Sequence, residues 1–498
     1  MERVLRMKRI CCRIAVVSIL LILSACARAT FSVSTAASPL ATTSASTAAG
    51  IVSPTPKQQQ HSSVPATATP APAGLNPKGP YVLFEGDGGI WIANPDGEYL
   101  TRIFSRGIRN AAQDIHNAIS PQGDRIAMVV VGANGPDLVT IDIPSGKTNA
   151  IVHLQDITQR EIGLNSLTPK AFAYYAITDF PDLMWRPGST EVLAFLGAVP
   201  GPSSDLSTYD FAAGRSRQLV QDPTQTIDPV WSPDGKYLLY IGISWVPPYG
   251  PSYAGFHPMD GLSAVRISDG VVIPQPAPKG TYQNLLGWSD AAHYLMYDSD
   301  KQCLARNLRS VDVTTGQETP IVDFCFFTQP AWSPENRSVI FSIDSSCSCS
   351  FAEGTYLLLP GSLAPQKISD KQASALAWLP ESGMFLAYPD ALFSPDGSQR
   401  FDSPLAGFSY NPAVSKSGRQ AWEVIENRIH RVKVKFPDGT WRAILDGNVG
   451  AMVWDPLKGD TLLIALQDGT LYAASAPDFA PRRMADLGGL YGQAVWIK

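Results

Sequence analysis

The sequence predicts an all-β fold, a β-propeller of four-stranded blades, on three observations. A turn recurs at a near-constant period. Each repeat holds four strand-like runs. The two ends of the repeat region complement each other. The turn is fully spelled at Trp231-Ser232-Pro233-Asp234-Gly235-Lys236, before the apolar run Tyr-Leu-Leu-Tyr-Ile. Weaker copies are anchored at Ile119, Trp185, Trp288, Trp332, Trp378, Val414 and Trp454, and Trp496 ends the series without a turn. Successive anchors stand 66, 46, 57, 44, 46, 36, 40 and 42 residues apart, near the roughly 40–45 residues of one blade.

The elements of a repeat follow in order. A first strand ends at the anchor. In Ser-Pro-Asp-Gly the Pro presets φ and the Gly accepts φ > 0, so the chain reverses. A β-rich second strand follows, as in Val339-Ile-Phe-Ser-Ile or Leu462-Leu-Ile-Ala-Leu. Leu138-Val-Thr-Ile-Asp-Ile is a third strand. A second Gly turn, as at Pro144-Ser-Gly-Lys, Ser268-Asp-Gly, Thr315-Gly-Gln or Pro437-Asp-Gly, leads to the fourth.

At the C-terminus, Gln493-Ala-Val-Trp-Ile-Lys is a first strand with nothing after it. At the other end, Tyr81-Val-Leu-Phe-Glu, Gly89-Ile-Trp-Ile-Ala-Asn and Leu100-Thr-Arg-Ile-Phe are second to fourth strands with no first. Joined, they close the ring and remove its free sheet edges. The anchors number nine. Eight blades is the preferred expectation within a range of seven to nine, because the segment 378–413 is short for a full blade.

These turns resemble the WD40-like (PD40) repeat of the TolB propeller, found also in propellers of the prolyl-oligopeptidase group. The resemblance covers roughly residues 80–498. It implies the fold and, by analogy, a role in an envelope protein complex. The TolB propeller carries a separate N-terminal domain. This chain has a different leader in that place.

Residues 1–25 read as a targeting segment. Arg3, Arg6, Lys8, Arg9 and Arg13 form a basic start, and Ile14 to Leu23 is an apolar run too short to span a bilayer. Leu23-Ser24-Ala25-Cys26 resembles the lipobox of bacterial lipoproteins. That resemblance implies cleavage before Cys26 and lipid on its thiol and amino group, with more than one acyl chain for stable anchoring. The expected location is bacterial and extracytoplasmic, lipid-anchored at the outer surface of a membrane. Residues 26–79 are rich in Ala, Ser, Thr and Pro. Such a stretch cannot bury enough surface to fold and reads as a flexible spacer. Residues 80–498 are the propeller domain.

Removing residues 1–25 takes away five Lys/Arg and one Glu. That leaves 34 basic and 43 acidic side chains and a net charge of about −9. This argues against nucleic acid or an anionic membrane surface as the main partner. Of the cysteines, Cys303, Cys325, Cys347 and Cys349 stand in the propeller. An oxidising compartment permits disulfides. Cys303 and Cys325 flank the Thr315-Gly316 turn almost symmetrically and are expected to bridge, and Cys347-Ser-Cys349 to close a local loop, among three pairings in all. No His cluster accompanies them, so a metal site is not expected.

The repeat grammar sorts the loops by face. Connections between second and third strands share one face with those leading from a fourth strand to the next blade. The anchor turns and the later Gly turns share the other, and these are tight. The first set is expected to carry the length. One insertion runs from about Asp156 to Asp182 with Phe172, Tyr174, Tyr175, Asp179 and Phe180. Another runs from about Trp245 to Leu262 with Trp245, Tyr249, Tyr253, Phe256, His257 and Asp260. The loop from Cys347 to Gly354 adds Phe351 and Glu353. Aromatic side chains there suit stacking on sugars or anchoring a partner protein. The bland reading packs them on the rim or over the channel.

No Gly-x-Ser-x-Gly elbow, His-Glu-x-x-His, Walker loop or dinucleotide fingerprint occurs, and no cofactor is expected. Asp298-Ser-Asp300 and Gly86-Asp-Gly-Gly are fragments of calcium-loop patterns, better read as exposed β-turn residues. Two functions follow. One is a monomeric binding or scaffold propeller for an envelope protein or glycan. The other is a glycoside hydrolase or polysaccharide lyase using channel-mouth carboxylates such as Asp156, Glu161, Asp179, Asp182 or Asp260.

Overall fold

The computed structural model describes residues 74–76, 79–86, 89–105, 118–132, 135–154, 183–189, 191–197, 205–221, 225–243, 261–276, 282–299, 305–322, 328–343, 351–389, 391–404 and 409–497. Among them the regular structure is strand, arranged as nine antiparallel sheets in chain order. The first blade takes Leu490–Ile497 as its first strand and Tyr81–Gly86, Gly89–Ala93 and Thr101–Phe104 as the rest. The pairing of Tyr81 with Ile497 and Leu83 with Val495 closes the ring from both chain ends, as the sequence predicts.

The second blade has three strands from Arg125 to His153, and a single bridge from Ile119 to Ile126 stands where its first strand would be. Seven complete four-stranded blades follow. They run from Met184 to Gln218, Gln225 to Pro274, Tyr282 to Val322, Ala331 to Ser369, Ala375 to Asp402, Ser409 to Asp446 and Val449 to Asp486.

Nine is the literal anchor count and the upper end of the expected range. The short segment does form a whole blade, with strands Ala375–Leu379, Met384–Tyr388, Ala391–Phe393 and Arg400–Asp402. It fits because its third and fourth strands are three residues each. Their hairpin uses a second complete Ser-Pro-Asp-Gly turn, Ser394 to Gly397.

Side-chain alternation explains how the blades cohere. In the strand Tyr81–Gly86, Tyr81 and Leu83 pack with Ile126, Met128, Val139 and Ile141 of the second blade. Val82 and Phe84 point the other way, onto Val453, Leu463 and Ala465 of the ninth. A strand period of two thus serves two seams at once. Shared apolar clusters continue around every neighbouring pair of blades. Each fully buried Leu, Ile, Val or Phe is worth about 1.5–3 kcal/mol. First strands of neighbouring blades touch, whereas fourth strands such as Pro481–Asp486 are largely exposed. The first strands therefore line the centre.

The anchor tryptophans tie the seams with hydrogen bonds. Trp185 Nε1 donates to Ala118 O at 2.9 Å, Trp231 to Met184 O at 3.0 Å, Trp288 to Val230 O at 3.2 Å and Trp454 to Ala413 O at 3.1 Å. Each acceptor immediately precedes the anchor of the previous blade. The turn beside each anchor is self-bonded. Ser232 Oγ accepts from the N–H groups of Lys236 and Tyr237 and donates to Asp234. Ser120 repeats the pattern at its anchor, and Ser394 repeats it in the hairpin between third and fourth strands of the seventh blade.

Candidate binding face

The strand order assigns the two faces. Every first strand runs toward its anchor, so the anchor turns and the third-to-fourth-strand turns share one face, here the turn face. The connections from second to third strand, and from one blade to the next, share the opposite loop face. Residues 155–182 join the second blade to the third, and residues 244–260 join the second and third strands of the fourth blade. The strand ends that these connections join lie at the loop face.

The length is not spread around that face. In the eighth blade the hairpin turns through Asn427 and Arg428, both at positive φ, and in the ninth through Asp468 and Gly469. Two residues, Gly447 and Asn448, join these blades. The long connections sit in the sector of the first six blades, and the seventh to ninth have short ones. The loop-face connections carry the length, as expected, and they do so in one sector. Turns of two or three residues need residues that tolerate left-handed φ, and Asn427 and Gly469 supply them.

Phe172, Tyr174, Tyr175, Asp179, Trp245, Tyr249, Tyr253, Phe256, His257 and Asp260 lie outside the described residues. So do Cys26, Cys303, Cys325, Cys347, Cys349, Asp156, Glu161 and Asp182. The residues flanking the first insertion, Leu154 and Leu183, are buried in the core shared by the second to fourth blades. Phe351 is described. It is half-buried and meets Tyr356 edge-on at 5.6 Å, while the Tyr356 hydroxyl donates to Ala352 O at 2.6 Å. Its ring packs the rim of the sixth blade.

The short-loop sector holds a polar constellation on the loop side of the eighth blade. Its first strand, Ser409–Val414, carries a bulge between Tyr410 and Ala413 that holds Asn411 at φ +39°. Asn411 Nδ2 donates to Glu423 Oε2 at 2.6 Å and to Val449 O at 3.2 Å. Val449 N donates to Glu423 Oε1 at 3.2 Å, and His430 Nδ1 lies 2.6 Å from the same oxygen. Glu423 is buried, and His430 is about one-third exposed at 36%. The carboxylate fixes the imidazole by its Nδ1 side and leaves Nε2 outward. The carboxylate accepts from Val449 N while Asn411 donates to Val449 O, so the group clamps the eighth blade to the ninth.

Nearby, Tyr388 and Tyr410 stack at a tilt with centroids 5.9 Å apart. Burial, aided by a hydrogen bond to Tyr410, pushes the Tyr388 phenol well above the usual range. These residues escape a reading by motif. The signal for them is a polar residue before Pro, three positions ahead of an anchor: Asp228-Pro229, Gln329-Pro330 and Asn411-Pro412. Gln329, just ahead of the sixth blade's first strand, and Asn411, within the eighth's, are exposed, and the three prolines are buried.

Asp298 differs from its expectation. It is fully buried, with both oxygens 3.0 Å from the Arg309 guanidinium, and Asn307 adds a third bond at 3.1 Å. A carboxylate so engaged is a structural ion pair and not an exposed turn residue. Among the described residues no group of three His, Cys, Asp or Glu is placed to hold a metal ion. His153 and His293 pair with Asp137 and Asp290 at 2.6 and 2.9 Å. A shallow cleft of about 370 Å³ between Phe436, Arg442 and Pro477 lies at the outer edge of the last two blades, on the turn side. Arg442 stacks over Phe436 there at 4.2 Å.

The ring is a nine-bladed β-propeller, in keeping with the TolB-like resemblance. No protein-family model and no curated protein matches the sequence. Solved structures similar to it include TolB from Acinetobacter baumannii, at 14% identity over 66% of this chain and 64% of that one, with a TM-score of 0.32. Dipeptidyl peptidase 4 from Porphyromonas gingivalis is 11% identical over 82% of this chain and 60% of that one, with a TM-score of 0.42. An oligogalacturonate lyase from Vibrio parahaemolyticus is 13% identical over 74% and 87%, with a TM-score of 0.33. The chain thus spans less than two thirds of the first two.

Proposed function

We propose that this protein is a lipid-anchored extracytoplasmic propeller that binds an envelope protein or glycan through the long-loop sector of its loop face. The observation that carries this reading is the asymmetry of the connections. The turn face is uniformly tight and self-bonded, and the length and aromatic content of the connections gather on one sector of the opposite face. Long connections on a rigid scaffold are where recognition concentrates.

Replacing residues 244–260 by the two-residue turn of the eighth blade tests this. The variant is expected to keep its melting temperature and lose capture of a partner from envelope extract or of a glycan from an array. Unchanged capture would remove this sector from the proposal. The lipid anchor is tested separately, since Cys26→Ser is expected to move the protein from the membrane fraction to the soluble one. Cleavage of a glycan by the purified chain would replace binding with catalysis.

A further inference from the structure

We infer that the closure scheme fixes which face the propeller presents, with the turn face toward the tether and the loop face away from it. The inference rests on the anchoring reading for its biological meaning, but its geometry does not depend on lipid.

A first strand runs from the loop face to the turn face, and a second strand runs back. Because the chain opens the ring as a second strand, Tyr81–Gly86 starts at the turn face, beside Ile497. Had the N-terminal strand been a first strand, the tether would leave from the loop face. The segment before Tyr81 is tied down on the same side. Asn76 N donates to Asn94 Oδ1 at 3.0 Å, and Asn94 Nδ2 donates to Gly74 O at 3.2 Å. Asn94 opens the turn between third and fourth strands of the first blade, which belongs to the turn face. The Tyr81 hydroxyl donates to Asn76 O. Leu75, inside the stretch read as a spacer, is 5% exposed and packs in the core shared by the first two blades. Gly74 lies against the Tyr99 ring so closely that a Cβ there would overlap it. Two reciprocal asparagines, a buried leucine and a tyrosine hydroxyl thus hold the tether root at the turn-face edge of the first blade. The long-loop sector opens on the opposite side.

Two exposed apolar residues report the two faces. Leu457 lies in the anchor turn of the ninth blade at 68% exposure, and Ile429 in the loop-face hairpin of the eighth at 42%. A donor dye is placed at either position through an unnatural amino acid, in the chain with residues 1–25 replaced by a histidine tag. The chain is bound to vesicles of phosphatidylcholine with a nickel-chelating lipid and an acceptor lipid. Energy transfer from position 457 is expected to exceed transfer from 429. Moving the tag into the Asn427–Arg428 turn is expected to reverse that order. Equal transfer from both positions with the N-terminal tag, or an order that the tag position does not change, would overturn the inference. The untagged chain expressed in cells separates the two readings. Loss of membrane association there sinks the anchor while the vesicle result stands.

Discussion

At the scale of residues, the recurring turn is a device of backbone and seam. Gly235 holds φ at +67°, and a Cβ added to it would lie 2.4 Å from Nε of Arg186. Gly235→Ala is expected to cost about 1–3 kcal/mol from the left-handed backbone and the displaced arginine. It should lower the melting temperature while leaving partner capture intact in the folded fraction. The anchor tryptophans allow a sharper comparison. Trp231→Phe removes the donor to Met184 O and with it a hydrogen bond across the seam, an expected loss of about 0.5–1.5 kcal/mol beyond the change in ring size. Trp378 Nε1 is buried with no acceptor, so Trp378→Phe is expected to cost less. Denaturant melts of both variants check this, and equal losses would show that ring volume, not the bond, holds the seams.

At the scale of elements, charge inside and at the ends of strands decides stability. Asp298 and Arg309 sit on neighbouring strands of the fifth blade, both buried, with Glu318 3.3 Å from Arg309 Nε. Arg309→Met leaves buried carboxylates without their cation and is expected to cost about 3–5 kcal/mol. Adding Asp298→Leu should restore part of the loss in a double-mutant cycle.

The exposed Gly turns respond to pH. The Thr314 hydroxyl, with two backbone N–H groups, holds the Asp312 carboxyl down at about 2, and the Ser394 hydroxyl, with Ser398, does the same for Asp396. A carboxyl whose folded pKa lies below its unfolded value of roughly 4 stabilises above that value. The contribution fades as pH falls from about 4 to about 2. Melting temperature should therefore decline across that window, and less steeply in Asp312→Asn with Asp396→Asn.

These elements also show what a sequence discloses. The Ser-Pro-Asp-Gly turn is local chemistry, so Trp231 to Lys236 reveals its structure unaided. The clamp of Asn411, Glu423, His430 and Val449 joins four strands, and neither register nor bulge can be read from spacing. Asp298 looked like a turn residue because its partner stands eleven positions away on the next strand.

At the scale of the whole molecule, the ring is nine sheets that each need two neighbours. The seventh blade shows how little chain suffices when both flanks are covered. Its first strand is only partly buried, and its outer two strands are three residues each. Apolar contact with the sixth and eighth blades makes up the difference. Hydrogen exchange should be fastest in this blade and slowest where tryptophan bonds tie the second through fifth, and a uniform rate around the ring would contradict that gradient.

The pairing of Tyr81 with Ile497 has one more consequence, in time and not in space. The strand that completes the first blade is synthesised after every other strand of the ring. Until Leu490–Ile497 has emerged, the nascent chain holds an unpaired strand at one end of an open arc and an uncovered ninth blade at the other. Long-range pairings of this kind form slowly, and open edges invite wrong partners in the interval. A chain that stops before Leu490 would carry the other strands of the ring and no way to close it. Such a product should sediment as oligomers, and adding the missing strand as a free peptide should return it to a single species.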